Sequence, residues 1–142
     1  MSDKSSLGVG QLIFTDNRQR FETGGGNMYN SDNYIVLVGG AGSVSDGGSI
    51  QLWFYDTPEL WALNMPLDSS WKAEFIPRSD PGRTWTANAG TISAVVSQRD
   101  ALAIVSFKFT ARYPGVPFTH EIEGFWHCKG FNALTKDSVF KE

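Results

Sequence analysis

The segment ALAIVSFKFTARY, residues 101–113, constrains the fold more than any other part of the sequence. Ile104, Ser106 and Lys108 alternate along it with the large apolar side chains of Val105, Phe107 and Phe109. Successive side chains of a β-strand point to opposite faces of a sheet, so a period of two predicts a strand. In its later half one face is polar and the other apolar, which is typical of an antiparallel sheet with one face in water.

Other short runs have the composition of strands, because they are rich in β-branched and aromatic residues and are bounded by Gly, Asn, Asp, Ser or Pro. The predicted strands cover residues 11–15, 34–38, 49–55, 60–64, 71–76, 84–87, 91–96, 101–113 and 120–127. The best candidate for a helix is the tail, residues 131–142. This pattern favours an all-β protein, an antiparallel β-sandwich or a closed barrel. We expect one domain over residues 1–142, in which residues 1–9 are the candidate flexible segment.

Charge and cysteine content narrow the classes of function. The net charge is −3, so the chain lacks the basic surface expected of a nucleic-acid-binding protein. Cys128 is the only cysteine, which rules out an intrachain disulfide. The N-terminus MSDKSSLGVG lacks the apolar centre of a signal peptide, and no apolar run is long enough for a membrane-spanning helix. We therefore expect a cytoplasmic protein, with non-classical release as an open alternative.

The glycine-rich stretch GGAGSVSDGG, residues 39–48, lies between two apolar, β-favouring runs and admits two interpretations. A Walker-type phosphate loop does not fit, because no Lys follows the glycines and a strand pattern comes next instead of a helix. The stretch is either a long hairpin connection or a ligand rim. In a rim, the backbone would approach a sugar while Ser43, Ser45 and Asp46 supply hydrogen bonds. We expect a strand connection first and a ligand rim second.

The segment RFETGGGNMYNSDNYIVLVGGAGSVSDGGSIQLWF, residues 20–54, resembles the fungal fruit-body lectins. The shared features are an aromatic and small-polar stretch, a Gly-rich turn, a Tyr-initiated apolar strand, and a Gly-rich loop before a further apolar strand. Downstream, ELWALNMPLDSSW, residues 59–71, resembles the family's next strand and the loop leading to a Trp. The resemblance implies an actinoporin-like β-sandwich, cytosolic storage, self-association and recognition of a galactose–N-acetylgalactosamine disaccharide.

The same resemblance implies which positions contact the sugar. The family's turn and loop contacts correspond here to Thr23, Gly24, Ala41, Gly42, Leu67 and Asp68. With adjacent polar and aromatic groups, the predicted ligand-binding residues are Thr23, Gly24, Ala41, Gly42, Ser43, Asp68, Ser69 and Trp71. The chain departs from the family where a loop Ser is Ala41 and where Pro66-Leu67 replace a His-Asn pair. We expect a non-catalytic lectin for galactose- or N-acetylgalactosamine-type glycans, without cofactor or metal, whose homo-oligomer binds multivalently.

Two further clusters allow alternatives. THEIEGFWHC, residues 119–128, holds both histidines and the cysteine, but a strand places His120 and His127 on opposite faces, which disfavours a metal or nucleophile site. WFYDTPELWALNMP, residues 53–66, is interpreted as core filling, although exposed rings there would suit a sugar or a membrane interface. An actinoporin-like membrane-binding or cytolytic protein is therefore the alternative function. Against pore formation, the first dozen residues contain too few large apolar side chains for an inserting helix.

Overall fold

A computed structural model describes residues 9–24, 26–30, 34–40, 48–55, 59–68, 70–78, 80 and 82–130 of the chain. The strands are β1 (Val9–Asp16), β2 (Gln19–Gly24), β3 (Asn27–Asn30), β4 (Tyr34–Gly40), β5 (Ser49–Tyr55), β6 (Glu59–Pro66), β7 (Trp71–Ile76), β8 (Trp85–Ser97), β9 (Leu102–Arg112) and β10 (His120–Lys129). The predicted all-β class is confirmed for these residues. Among them, no helix is long and apolar enough to cross a membrane.

The strands form one antiparallel sheet in the order β2-β1-β10-β9-β8-β7-β5-β4-β3, and β6 pairs with β8. Two strands pair with the same edge of β8. Trp85 and Thr86 pair with β7, whereas residues 91–97 pair with β6. A β-bulge between Ala87 and Ala89 separates the two portions. Bulges bend a strand and increase its twist, and the sheet as a whole curls into a half-barrel.

The curled sheet encloses one main hydrophobic core, to which strands from both ends contribute. The largest fully buried side chains include Trp71, Trp85, Trp126, Phe14, Phe54, Phe75 and Phe109. Gly39 of β4 lies against Trp126 of β10. A Cβ atom at this glycine would be only 2.7 Å from Cζ2 of the indole. Glycine marks places where another group approaches the backbone closely. Here it lets strands that are distant in sheet order share the core.

The glycine-rich stretch connects two neighbouring strands, as expected. Gly40 at the end of β4 pairs with Ser49 at the start of β5, so the segment between them closes an antiparallel hairpin. The N–H of Gly48 donates a hydrogen bond of 2.5 Å to the carbonyl of Ile76, which ties the hairpin to β7. Residues 41–47 lie outside the described residues, and the ligand-rim interpretation falls on them.

The alternation predicted for the two longest C-terminal strands is confirmed. On β9, the side chains of Ile104, Ser106 and Lys108 are exposed and the intervening ones are buried. On β10, His120 is buried while His127 lies on the opposite, outer face. The two histidines therefore diverge, and the outer faces of β9 and β10 form a surface in water.

Candidate functional site

The outer face of β6, β8, β9, β10 and β1 carries two depressions side by side. Strand register arranges its side chains in rows that cross the sheet. One row crosses four strands in the order Thr15, Glu123, Lys108, Thr91. The next row on the same face runs in the order Ile13, Phe125, Ser106, Ser93. Residues far apart in the sequence thus become neighbours on one surface.

The first depression, which we call the polar groove, has a volume of about 550 Å³. Its lining is rich in hydroxyl and charged side chains, namely those of Thr15, Thr91, Thr110, Arg18, Lys108, Glu121 and Glu123. Glu123 and Lys108 are direct partners on β10 and β9, so their Cβ atoms lie about 5 Å apart. An ammonium donor beside a carboxylate acceptor can bind neighbouring hydroxyl groups of a single ligand.

The charged groups of the polar groove form no ion pair with another described residue. The ion pairs among the described residues join Arg20 to Glu22, Lys72 to Glu74, Arg83 to Asp80, Arg99 to Asp100, and His120 to Asp16. Lys108, Glu121 and Glu123 are absent from that set, and all three are exposed. Polar groups with free hydrogen-bonding capacity in a concave site are those that orient a small ligand.

The bulge in β8 bends the sheet along one wall of the polar groove. A Cβ at Gly90 would overlap the carbonyl oxygen of Lys108 and lie 2.6 Å from the Cβ of Phe109. The carbonyl of Gly90 accepts a 3.0 Å hydrogen bond from the N–H of Leu67, which fixes the end of β6 to the same point. The close contact of β8 with β9 therefore depends on glycine at this position.

The turn between β1 and β2 forms the opposite wall. Asn17 and Arg18 have φ angles of 49° and 78°, as the two central residues of a type I′ hairpin turn require. The N–H of Glu121 donates to Asn17 Oδ1 at 2.7 Å, and the N–H of Asn17 donates to the Glu121 carbonyl at 2.9 Å. These reciprocal bonds hold the turn against β10, so the backbone of Glu121 is fixed relative to the groove.

A buried polar pair lies on the inner side of the sheet at this end of the groove. His120 Nδ1 and Asp16 Oδ1 are 2.6 Å apart, and both side chains are buried. The imidazole packs edge-on against Trp85, with ring centroids 4.6 Å apart. Because Asp16 follows Thr15 and His120 precedes Glu121, the pair joins β1 to β10 next to two groove residues.

The second depression, which we call the apolar cleft, has a volume of about 480 Å³. Its lining includes Trp61, Leu63, Val95, Ile104, Ser93 and Ser106. The side chains of Trp61 and Leu63 are 83% and 82% exposed, although most large apolar residues of the chain are buried. An exposed tryptophan beside two serine hydroxyls offers a ligand both an aromatic surface and hydrogen bonds.

Regular alternation along the first part of β6 places the two large apolar side chains on its exposed side, and an irregularity follows them. The register between β6 and β8 shifts within the strand, and Asn64 has a φ of 52° at the shift. The N–H of Asn64 donates a 2.9 Å hydrogen bond to Ser93 Oγ, which anchors the bulge to β8. Trp61 and Leu63 are two positions apart on this strand, so their side chains point to the same face, and both line the cleft.

The predicted ligand-binding residues fall in separate parts of the sheet. Thr23 and Gly24 lie on β2, at one end of the sheet order. Asp68 follows β6, and the strands β1, β10, β9 and β8 separate β2 from β6. The described part of the chain therefore does not bring these residues together along the sheet. The predicted residues that lie outside it are Ala41, Gly42, Ser43 and Ser69.

Trp71, which was predicted to contact a ligand, lies in the core. Its side chain is 1% exposed, and its indole N–H donates a 3.0 Å hydrogen bond to the carbonyl of Pro66. Asp68 is exposed in the same turn, and its Oδ1 accepts hydrogen bonds from the N–H and the hydroxyl of Ser70, at 2.8 and 2.5 Å. The Trp71 indole thus stabilises the turn from the core side, and the Asp68 carboxylate stabilises it from the solvent side.

The capping bonds give a first prediction. The Ser70 hydroxyl, and after it the Ser70 N–H, lower the pKa of Asp68. We expect Ser70→Ala to raise that pKa toward its ordinary value, because the hydroxyl donor is lost. Carboxyl NMR shifts recorded against pH will measure this pKa, and an unchanged pKa would contradict the turn geometry.

The lowered pKa of Asp68 also makes stability depend on pH. The stability contributed by this carboxylate is present above the ordinary pKa and is lost as the pH falls through the lowered folded-state pKa.

The described residues do not favour a metal-binding site or a reactive cysteine. Within the described ranges, no group of three or more His, Cys, Asp or Glu side chains is placed to hold a metal ion. Cys128 is buried, and its burial raises the pKa of the thiol to about 11. A thiol with that pKa is protonated at neutral pH and is a poor nucleophile. Cys128 is therefore a core residue.

Sequence reasoning missed the residues that form both depressions. Trp61 was interpreted first as core filling, which is wrong for its 83%-exposed side chain, and its exposure agrees with the alternative of an exposed ring, whereas Trp53 and Phe54 are buried as expected. The polar face of the strand predicted at residues 101–113 was recognised, but nothing in the sequence shows that Lys108 lies beside Glu123. That neighbourhood exists only because β9 pairs with β10 in this register.

Comparisons with protein-family models, with curated proteins and with solved structures find no match to this chain. The resemblance to the fungal fruit-body lectins therefore rests on the residues of the 20–71 segment alone. The geometry of the outer face is the independent basis for assigning a function.

Proposed function

We propose that this chain is a non-catalytic carbohydrate-binding protein whose ligand lies on the outer face of β6, β8, β9, β10 and β1. One observation carries the proposal: the polar groove over Lys108 and Glu123 adjoins the surface that exposes Trp61. Concave sites of this volume with a few free polar groups are the usual binding places of small ligands. The amphipathic character of the surface selects sugars among such ligands.

The chemistry of the surface complements the hydroxyl groups and the apolar faces of sugar units. Sugar hydroxyls both donate and accept hydrogen bonds, whereas the carboxylate of Glu123 only accepts and the ammonium of Lys108 only donates. Threonine hydroxyls can do both, so the groove can satisfy hydroxyls of either orientation. The C–H face of a sugar ring is apolar and can pack on an exposed indole such as that of Trp61.

The resemblance to fungal fruit-body lectins supports the same class of ligand and adds finer predictions. It implies a galactose- or N-acetylgalactosamine-type glycan, self-association and an actinoporin-like β-sandwich. The contact of Gly39 with Trp126, where opposite ends of the sheet share one core, supports a sandwich-like arrangement. The family-like contacts expected at Thr23 and Gly24 on β2 and at Asp68 after β6 lie in separate parts of the sheet, and the experiments below distinguish both places from the groove.

Replacing the groove ammonium tests the proposal. We expect the protein to bind a glycan on an array, and Lys108→Met to weaken its affinity for that glycan at least about tenfold, because a hydrogen bond to a charged group contributes about 1.5–3 kcal/mol. Methionine retains an apolar stem, so the loss reports the charged donor. Titration calorimetry gives the affinities, and mass spectrometry of the recovered glycan should show an unchanged mass.

Lys129→Met is the matched control, since Lys129 is also exposed but lies outside both depressions. It should bind as the wild type does. Equal affinities of the wild type and Lys108→Met would remove the groove from the site, and Asp68→Ala would then test the family-like location. No binding across the array would reject the carbohydrate proposal.

A membrane-surface protein is the second candidate. It is favoured by four exposed apolar side chains on one face, those of Trp61, Leu63, Ile104 and Phe125. Tryptophan and other apolar side chains bind at the membrane–water interface. Sedimentation with glycan-free phosphatidylcholine vesicles separates the candidates, because a carbohydrate-binding protein stays in the supernatant. Co-sedimentation that is lost in Trp61→Ala would favour the membrane.

A further inference from the structure

We infer that the ligand of this surface is an oligosaccharide that occupies the polar groove and the apolar cleft at the same time. The inference rests on the proposed carbohydrate-binding function. It adds the size of the ligand and the direction in which it crosses the sheet. Three properties of the surface lead to it: the continuity of the two depressions, the change of polarity between them, and the charge that borders the apolar part.

The two depressions are continuous along two strands. On β9, Lys108 lines the groove and Ser106 the cleft, and on β8, Thr91 lines the groove and Ser93 the cleft. Residues two positions apart on one face of a strand are about 7 Å apart. Ser93 and Ser106 are register partners on neighbouring strands. On β8 and β9, small hydroxyl side chains therefore form the boundary, and the exposed Phe125 lies beside Ser106 in the same row.

The polarity of the surface changes in steps along this path. Lys108 and Glu123 provide charged groups at one end, the two boundary serines provide hydroxyls, and Trp61 provides an aromatic ring at the other end. The volumes of about 550 and 480 Å³ are each large enough for a small ligand of their own. A chain of sugar units offers a hydroxyl edge and an apolar face in every unit, so different units can meet the two ends.

A protein partner fits this surface less well than a glycan. Stable protein interfaces bury about 800 Å² on each partner, and charged residues are depleted at their centres. Here Lys108 and Glu123 lie one row of side chains from the apolar cleft, and a flat partner that covered both depressions would have to desolvate them. A narrow glycan can keep those groups hydrogen-bonded while it covers the indole of Trp61.

Simultaneous occupation has a measurable consequence for affinity. When one ligand makes two contacts, the second contact forms at a high effective concentration, so the longer ligand binds more tightly than either part. A monosaccharide held in the polar groove gains nothing from Trp61. A longer chain of the same sugar gains the contact with the indole. The gain in affinity with chain length should therefore depend on Trp61.

The test compares chain lengths in matched variants. The probes are the terminal monosaccharide of the best array glycan and the longest oligosaccharide of the same linkage, both titrated by calorimetry. We expect the oligosaccharide to bind at least about tenfold more tightly. Trp61→Ala should reduce the affinity for the oligosaccharide to that for the monosaccharide, whereas Lys108→Met should weaken both ligands.

Phe118→Ala is the control for loss of an exposed aromatic ring, because Phe118 is 59% exposed and lines neither depression. Circular dichroism establishes that each variant is folded. Equal affinities for the two ligands, or a gain that survives Trp61→Ala, would overturn the two-part site while leaving carbohydrate binding in place. If neither ligand binds the wild type, the proposed function itself is rejected.

Discussion

Trp126→Ala is expected to lower the free energy of unfolding by about 3–5 kcal/mol, the usual cost of truncating a large buried aromatic side chain. Trp126 is fully buried on β10, and its ring lies 6.5 Å from that of Phe107. It also contacts Gly39, where β4 from the other end of the sheet closes over the core. The alanine variant would have a cavity at the point where the two ends of the curled sheet meet.

The same substitution at Trp61 provides the control. Because the Trp61 side chain is 83% exposed, Trp61→Ala should change the free energy of unfolding by no more than about 0.5 kcal/mol. Urea unfolding followed by circular dichroism measures both values. Domains of this kind are stable by only about 5–15 kcal/mol, so Trp126→Phe serves as a milder variant if Trp126→Ala does not fold. Similar losses at Trp61 and Trp126 would contradict the burial of β10 and the exposure of β6.

Asp16→Ala should lower the free energy of unfolding by about 3 kcal/mol, since removing one partner of a buried polar pair leaves the other without a partner. Asp16 Oδ1 lies 2.6 Å from His120 Nδ1, and the imidazole is enclosed by the rings of Phe75, Trp85 and Phe118. Those aromatic rings supply no strong acceptor to replace the carboxylate. The loss should be visible in chemical unfolding at neutral pH.

Removing both members of the pair shows whether they act together. We expect Asp16→Leu with His120→Phe to be more stable than Asp16→Leu alone, because no buried polar group is then left unsatisfied. Glu22→Ala is the surface control, since Glu22 pairs with Arg20 in water and should contribute less than about 1 kcal/mol. Strictly additive losses in the double variant would show that the two buried side chains are energetically independent.

The strands that could be predicted are those whose side chains carry a strong apolar pattern. The strands predicted at residues 49–55 and 71–76 match β5 and β7, because both are largely buried and rich in aromatic or β-branched residues. β2 and β3 were missed. Their sequences, QRFETG and NMYN, are mostly polar, and they become strands through pairing with β1 and β4. Tertiary pairing overrides weak local preference in such segments.

The bulge and the register explain what the sequence could not predict. Residues 84–87 and 91–96 were predicted as two strands, but the structure has a single strand there, β8, which continues through Gly90. β9 packs too closely against Gly90 for any side chain at that position. Thr15 and Glu123 meet only through the pairing of β1 with β10, across most of the chain length. A local pattern contains no information about such a pairing. The candidate site could therefore be recognised only in the fold.

Amide chemical-shift mapping with the best array glycan tests the central claim most directly. Isotope-labelled protein is titrated with the glycan until the shifts saturate. We predict that the shifting amides concentrate on the outer-face strands, around Thr91, Lys108 and Glu123, and extend to Trp61 for a long glycan. Shifts confined to Thr23, Gly24 and the turn at Asp68, or no shifts at all, would contradict carbohydrate binding on the outer face of the sheet.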